Sequence, residues 1–234
     1  MTTSGVLYVV ATPIGNGADL SARARSVLAE VGCIACEDTR TVRRLLAGLG
    51  IEAPRLTSLY EHNEAERVDE VLGLLHAGAD VALVSEAGTP TVSDPGYRLV
   101  ARCAEAGVRV SPVPGPCAAI AALSASGLPT DRFLFLGFPP KRGGRLRAFV
   151  ASVVEPGRTA IVYVPARDVA AVVEEIGRVA PAARLVVARE LTKTFEEFVR
   201  GTPAELLTAL APEKQRGECV LLCHTGRRDD VTEA

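Results

Sequence analysis

The chain has 234 residues, 48% of them apolar, and a formal charge of −2. This much apolar content builds a sizeable core and excludes a disordered polymer. Near-neutrality excludes a nucleic-acid binder that relies on global positive charge, though not one with a locally basic face. No apolar run approaches the length of a membrane span, and no basic-then-apolar leader opens the chain, so a cytoplasmic protein without membrane attachment is expected.

Residues 5–11 form a continuous apolar run, the pattern of a strand covered on both faces, and Thr12-Pro13-Ile14-Gly15-Asn16-Gly17 breaks it. Asp19 or Ser21 can cap a helix reaching Val31, with Leu20, Ala24, Val27, Leu28 and Val31 on one face. A strand over 33–37, a helix over 41–49 and a helix over 63–76 follow, the last turning Val68, Val71, Leu72 and Leu75 inward. Next come a strand over 79–84, a helix over 96–106 and a strand over 108–112. Such alternation predicts a mostly parallel sheet with helices on both faces.

The link Pro112-Val113-Pro114-Gly115-Pro116 divides the chain into domains expected at 1–113 and 114–234. The second half reads as a helix (117–126), a strand (133–138), a helix (145–154), a strand (159–164), a helix (169–179) and a strand (184–189). A strand (195–200), a helix (203–210) and a last strand (218–223) complete it.

Six cysteines are present. Cys33 and Cys36 have redox or half-zinc spacing, but His62, His76 and His224 are scattered, and the pair opens a strand instead of following one. Both are expected as small core side chains, with no metal site.

In an open α/β sheet, ligands sit outside the carboxyl ends of the strands. The loops 12–17, 85–95 and 112–117 each follow an apolar strand and carry Gly or Pro that lets main chain approach a ligand. None contains lysine or arginine, and no Gly-Lys-Ser/Thr closes a glycine run, so a nucleoside triphosphate is disfavoured. Gly15 and Gly17 match part of a dinucleotide fingerprint, with Glu37 placed for a ribose, but Leu20 stands where the third glycine belongs. Carbonyls, hydroxyls and an acid suit a cationic or zwitterionic ligand, and S-adenosylmethionine is one such candidate.

The strings "ATPIGNGADLSARA", "CEDTRTVRRLL", "YEHNE", "VSEAGTPTVSDPGYRLV", "PGPCAAIAALSASGLPTDRFLFLGFPPKRGGR" and "VARELTKTFEEF" occur in that order. With them the chain resembles, from Leu7 to Leu222, the bacterial ribosomal RNA small subunit methyltransferase I family. These are 16S ribosomal RNA 2′-O-ribose methyltransferases acting on a cytidine, within the tetrapyrrole-methylase superfamily. The resemblance implies a two-domain α/β fold with a mostly parallel N-terminal sheet and a mixed C-terminal one. It also implies a homodimer, the small ribosomal subunit as partner, and S-adenosylmethionine folded into a cleft between domains. The donor would meet Pro13, Ser85, Glu86, Ala87, Thr89, Val92, Ser93, Pro116 and Cys117, joined by Ala166, Arg189 and Leu191. Glu86 stands where the family usually has aspartate and Cys117 where it has serine. The family's helical C-terminal extension is expected to be absent after Asp229-Asp230-Val231-Thr232-Glu233-Ala234.

Methyl transfer to a ribose hydroxyl needs orientation, exclusion of water and a proton acceptor. Glu37, Glu190, or a Lys193 kept neutral by burial are the expected acceptors, with Arg40, Arg189 and Lys193 positioning RNA. A plain Arg–Glu salt-bridge network is the structural alternative. Arg40, Arg43 and Arg44 form one cationic cluster and Lys141, Arg142, Arg145 and Arg147 another, both candidates for RNA phosphates. With no tryptophan, stacking of several bases is disfavoured and one nucleotide drawn into the site is favoured. Tyr8, Tyr60 and Tyr163 are expected in or beside the core. A corrin C-methyltransferase and a donor-binding assembly factor without turnover are the competing functions.

Overall fold

The computed structural model describes residues 4–60, 63–141, 143–210 and 217–226. The chain divides into two compact units, Met1–Cys117 and Ala118–Ala234.

The first unit holds strands β1 (Leu7–Val10), β2 (Cys33–Cys36), β3 (Arg55–Ser58), β4 (Val81–Val84) and β5 (Val110–Val113), and helices α1 (Ala22–Glu30), α2 (Thr39–Leu49), α3 (Glu64–His76) and α4 (Tyr97–Glu105). The strands form one sheet in the order β3-β2-β4-β1-β5, every pair parallel. The pleat sends alternate side chains to opposite faces. Leu7, Cys33, Ala35, Val81 and Leu83 pack against Val68, Val71 and Leu75 of α3 and Leu99 and Cys103 of α4. Val10, Ile34, Cys36, Ala82 and Val84 pack against Ala24 and Leu28 of α1 and Val42 and Leu46 of α2. Cys33 and Cys36 therefore point to opposite faces and share neither a metal nor a disulfide. Burial pushes the Cys36 thiol up to about 12.

Of the two candidate caps, Ser21 serves α1, its hydroxyl accepting from the Ala24 amide at 3.1 Å. Asn16 caps a separate 3₁₀ turn, Gly17–Asp19. Asp38 caps α2, accepting from the Arg40 amide at 2.7 Å, so the helix begins ahead of the expected Thr41. Strand β3 has no counterpart among the expected elements. It lies at the sheet edge and buries only Thr57 closely, so its composition lacks the apolar run of an interior strand.

Because α1 and α2 cover one face and α3 and α4 the other, neighbouring β1 and β4 send their following helices to opposite sides. Their carboxyl ends form the topological switch point of the sheet, where the departing loops diverge.

The second unit holds β6 (Phe133–Phe135), β7 (Thr159–Pro165), β8 (Arg184–Arg189), β9 (Glu197–Gly201) and β10 (Glu218–His224), and α5 (Ala118–Ser126), α6 (Gly144–Val153), α7 (Val169–Val179) and α8 (Pro203–Ala209). Its sheet runs β6-β7-β10-β8-β9 and is mixed: β6 pairs parallel with β7, and the remaining pairs are antiparallel. Val162, Val164, Leu185, Val187 and Leu221 face Leu146, Val150, Val173, Ile176 and Leu206 of α6, α7 and α8. The small-residue helix α5 packs against β7, β8 and β10.

Strand β6 ends at Phe135, short of the expected Phe138; hydrogen bonds to β7 continue through Gly137, whose φ of +65 breaks the extended run before Phe138. Tyr8 lies beside the core, whereas Tyr60, expected there, is 42% exposed. Among the described residues no helix is long and apolar enough to cross a membrane.

Candidate active site

At the switch point the loops after β1, β4 and β5 are tied to one another. The Thr12 amide donates to the Gly88 carbonyl at 2.9 Å and the Gly88 amide returns a bond to the Thr12 carbonyl at 3.1 Å. The buried Thr12 hydroxyl donates to the Ser85 carbonyl at 3.3 Å. The Thr89 hydroxyl reaches the Pro116 carbonyl at 3.0 Å, bringing in the third loop. Gly88 holds φ +85, and a Cβ there would meet Ile14 Cγ2 at 3.3 Å. Thr91 and Ser93 are also left-handed, at φ 70 and 67, an unusual cost for residues with side chains.

That strained loop is held at its far end by Glu64, from the "YEHNE" string. The nearly buried Glu64 carboxylate accepts from the Gly96 and Arg98 amides, both at 3.2 Å, and so caps α4. Of the expected donor-binding residues in this unit, Ser85, Ala87, Thr89 and Pro116 join the bonded rim directly. The Val92 amide bonds back to the Thr89 carbonyl at 3.4 Å. Pro13 and Cys117 adjoin the rim half-buried, and Ser93 and Glu86 are exposed.

Beside the rim, the ends of β2 and β4 bring carboxylates together. Asp94, absent from the expected site residues, is pushed up to about 6, chiefly by burial, with a hydrogen bond from Ser85 opposing and the charges of Glu37 and Glu86 adding. Glu37, open to solvent on one side, is also raised by partial desolvation and by Glu86 and Asp38. Asp38 is the opposite case: its hydrogen bonds from Arg40, guanidinium and amide, hold it down at about 2. Asp94 was visible in the sequence as a loop acid; its burial depends on how the loop folds back over Ser85.

In the second unit, β7 and β8 run in the same direction, and Ala166 and the segment from Arg189 to Leu191 follow their ends. Cys219 pairs with both Val164 and Arg189, which places the two ends side by side. The Ala166 amide donates to the Gly217 carbonyl at 3.0 Å, and both Ala166 and Leu191 are buried. Arg189 forms an ion pair with Glu197 at 3.6 Å. Glu190, at φ 50, accepts from the Glu218 amide at 3.1 Å and from the Lys193 ammonium at 3.2 Å. Burial opposes ionisation of Glu190, but these donors win and hold its carboxyl below the usual range. Burial likewise opposes the Lys193 charge, and Glu190 and Glu218 outweigh it, so the ammonium is raised. Lys193 is thus a charged ion-pair partner, not the neutral amine that one sequence reading required.

The first cationic cluster lies on the solvent face of α2, opposite the buried Val42 and Leu46; there Arg40 is clamped by Asp38, while Arg43 and Arg44 are exposed. In the second, Lys141, Arg145 and Arg147 are exposed; Arg142 lies outside the described residues.

A model of the tetrapyrrole (corrin/porphyrin) methylases matches residues 6–207. The chain is 48% identical to the ribosomal RNA small subunit methyltransferase I of Escherichia coli O157:H7 over 98% of this chain and 82% of that protein. It is 49% identical to the Pseudomonas aeruginosa protein of the same name, over 94% of this chain and 79% of that one. In fold it matches a uroporphyrin-III-C-methyltransferase from Thermus thermophilus, with TM-score 0.65 and 21% identity over 94% of both chains. A cobalt precorrin-4 methyltransferase matches with TM-score 0.65 and 18% identity, again over 94% of each. By this kinship the chain is a methyltransferase that belongs to the tetrapyrrole methylase family and, within it, to the ribosomal RNA small subunit methyltransferases I.

Proposed function

We propose that the chain transfers a methyl group from S-adenosylmethionine to the 2′-hydroxyl of a cytidine in 16S ribosomal RNA of the small subunit. The observation that carries the reading is the rim itself: three loops hydrogen-bonded together at the carboxyl ends of β1, β4 and β5, with carboxylates beside them. Those loops contain no lysine or arginine. Such a rim fits a cationic donor without phosphates, its amino-acid and adenosine groups meeting main-chain atoms of Pro13, Ala87, Val92 and Cys117. The donor supplies an electrophilic methyl carbon on a sulfonium. The protein's part is to align the acceptor oxygen with it and to remove the hydroxyl proton as the oxygen–carbon bond forms and the sulfur–carbon bond breaks, S-adenosylhomocysteine leaving as a neutral thioether.

Glu37 suits that last role best, because desolvation and neighbouring acids raise its proton affinity. Glu190 is a weaker base, its lone pairs already taken by Lys193 and the Glu218 amide. We assign Glu190 and Lys193 to shaping the turn that presents Arg189 and Leu191. Arg43 and Arg44, exposed and without an ion pair among the described residues, are the groups to take phosphate, and Arg40 does so only by sharing Asp38.

The test incubates the protein with labelled S-adenosylmethionine and small ribosomal subunits lacking the modification, then maps ribose methylation. One methylated cytidine supports the assignment. Label on a corrin-type tetrapyrrole, and none on RNA, replaces the substrate; donor binding without transfer to either replaces the enzyme by an assembly factor. Sedimentation of the free protein tests the homodimer implied by the family.

A further inference from the structure

Phe138 is a large apolar side chain left 58% exposed, although it stands at the end of a strand in a well-packed unit. The left-handed turn at Gly137 swings it off the β6 line and against Tyr163, ring centroids 5.6 Å apart and planes at 62°. Tyr163 is itself fixed. Its hydroxyl accepts from the Ala119 amide at 3.2 Å, its own amide donates to the Gly137 carbonyl at 2.9 Å, and Phe135 packs on it at 4.8 Å. Phe138 is therefore a braced ring with an open surface, not a loose one.

The chain then runs through Pro139 and Pro140 into Lys141 and the first turns of α6, where Arg145 and Arg147 are exposed and make no ion pair among the described residues. Between Asp131 and Glu155 the sequence has no carboxylate. Cations near a helix N-terminus oppose the helix dipole, so this charge does not serve α6. An exposed aromatic ring followed within a few residues by exposed cations is suited to hold single-stranded nucleic acid: the ring takes a base face and the cations take phosphates.

We propose that Phe138 is a stacking platform for one unpaired base of the RNA substrate, with Lys141, Arg145 and Arg147 engaging the adjoining phosphates. This rests on the RNA reading above and adds a contact with an unpaired base to it. It also modifies the expectation from aromatic scarcity: one braced ring suffices for one base.

Because the chain has no tryptophan, Phe138→Trp installs a single indole reporter. Titration with a short oligocytidylate is expected to quench it saturably, while inorganic polyphosphate, which meets the cations alone, leaves it bright. In methylation of small subunits, Phe138→Ala is expected to raise KM for RNA roughly ten- to hundredfold, with donor affinity by calorimetry unchanged. Phe138→Tyr is expected to retain near-normal KM. Equal quenching by polyphosphate, or an unchanged KM in Phe138→Ala, overturns the proposal while leaving the methyltransferase reading intact. So does a shift from dimer to monomer in Phe138→Ala, which would make the ring a subunit contact. Failure of the wild-type protein to methylate RNA overturns the parent reading, and the oligocytidylate titration still judges the platform separately.

Discussion

Replacing Gly88 by alanine tests whether the rim is held by backbone geometry. Gly88 sits at φ +85, where an L side chain costs about 1–2 kcal/mol. The added Cβ would also meet Ile14 Cγ2 at 3.3 Å, close enough to displace the β1 loop by a few tenths of an ångström, whereas Pro116 O at 3.7 Å is ordinary contact. Gly107 is the matched control: it holds φ +69 just after α4, and nothing lies within 4 Å of its Cβ. Gly107→Ala should therefore lose about 1–2 kcal/mol of stability, seen as a lowered unfolding temperature of roughly 2–8 °C, and Gly88→Ala at least as much because of its added contact with Ile14. Only Gly88→Ala disturbs the paired bonds of 2.9 and 3.1 Å between Thr12 and Gly88. Loss of two hydrogen bonds, each worth about 0.5–1.5 kcal/mol, predicts donor binding weaker by roughly five- to 150-fold. Isothermal calorimetry with S-adenosylmethionine, beside scanning calorimetry, measures both quantities. If the two variants bind the donor equally well, the bonded rim does not form the donor site and the reasoning fails.

Glu37→Gln removes the proposed proton acceptor and should lower the transfer rate about a hundredfold or more with donor affinity retained. The wild-type rate should rise with pH through the elevated Glu37 value and then level, and a wild-type rate in the variant refutes the role. Asp94, at about 6 in the folded protein against an ordinary 3.8, binds its proton more tightly when folded. Stability therefore falls as pH rises across that window and stays lowered above it. Asp94→Asn should then stabilise the protein at pH 7 by on the order of 2 kcal/mol, with the gain vanishing below about pH 4; unfolding curves at both pH values check it. Glu64→Ala leaves the Gly96 and Arg98 amides without their acceptor and should cost about 1–3 kcal/mol. Hydrogen exchange should rise at the start of α4 and in the loop before it, and unchanged protection there would sink the capping role.

Most of the fold was legible in the sequence because interior strands write their burial into composition. Residues 81–84 and 33–36 are continuously apolar, and both are interior strands buried along their whole length. Edge strand β3 escaped for the same reason in reverse: with one side open, Arg55-Leu56-Thr57-Ser58 reads as loop. Strand β6 was read too long because the turn at Gly137 depends on a backbone angle that an apolar run does not disclose.

The loops that matter were marked by their Gly, Pro and hydroxyl content, which is a local property, and their order along the chain carried the family likeness. What only the tertiary structure decided is which groups meet. Thr12 and Gly88, and Thr89 and Pro116, are bonded across long stretches of sequence. Proton affinities follow the same rule: Glu37 and Glu190 are the same residue type after a strand, yet one is raised by desolvation and the other lowered by a lysine and an amide. A sequence states which acids are present; the field each one feels is a sum over neighbours that folding alone assembles.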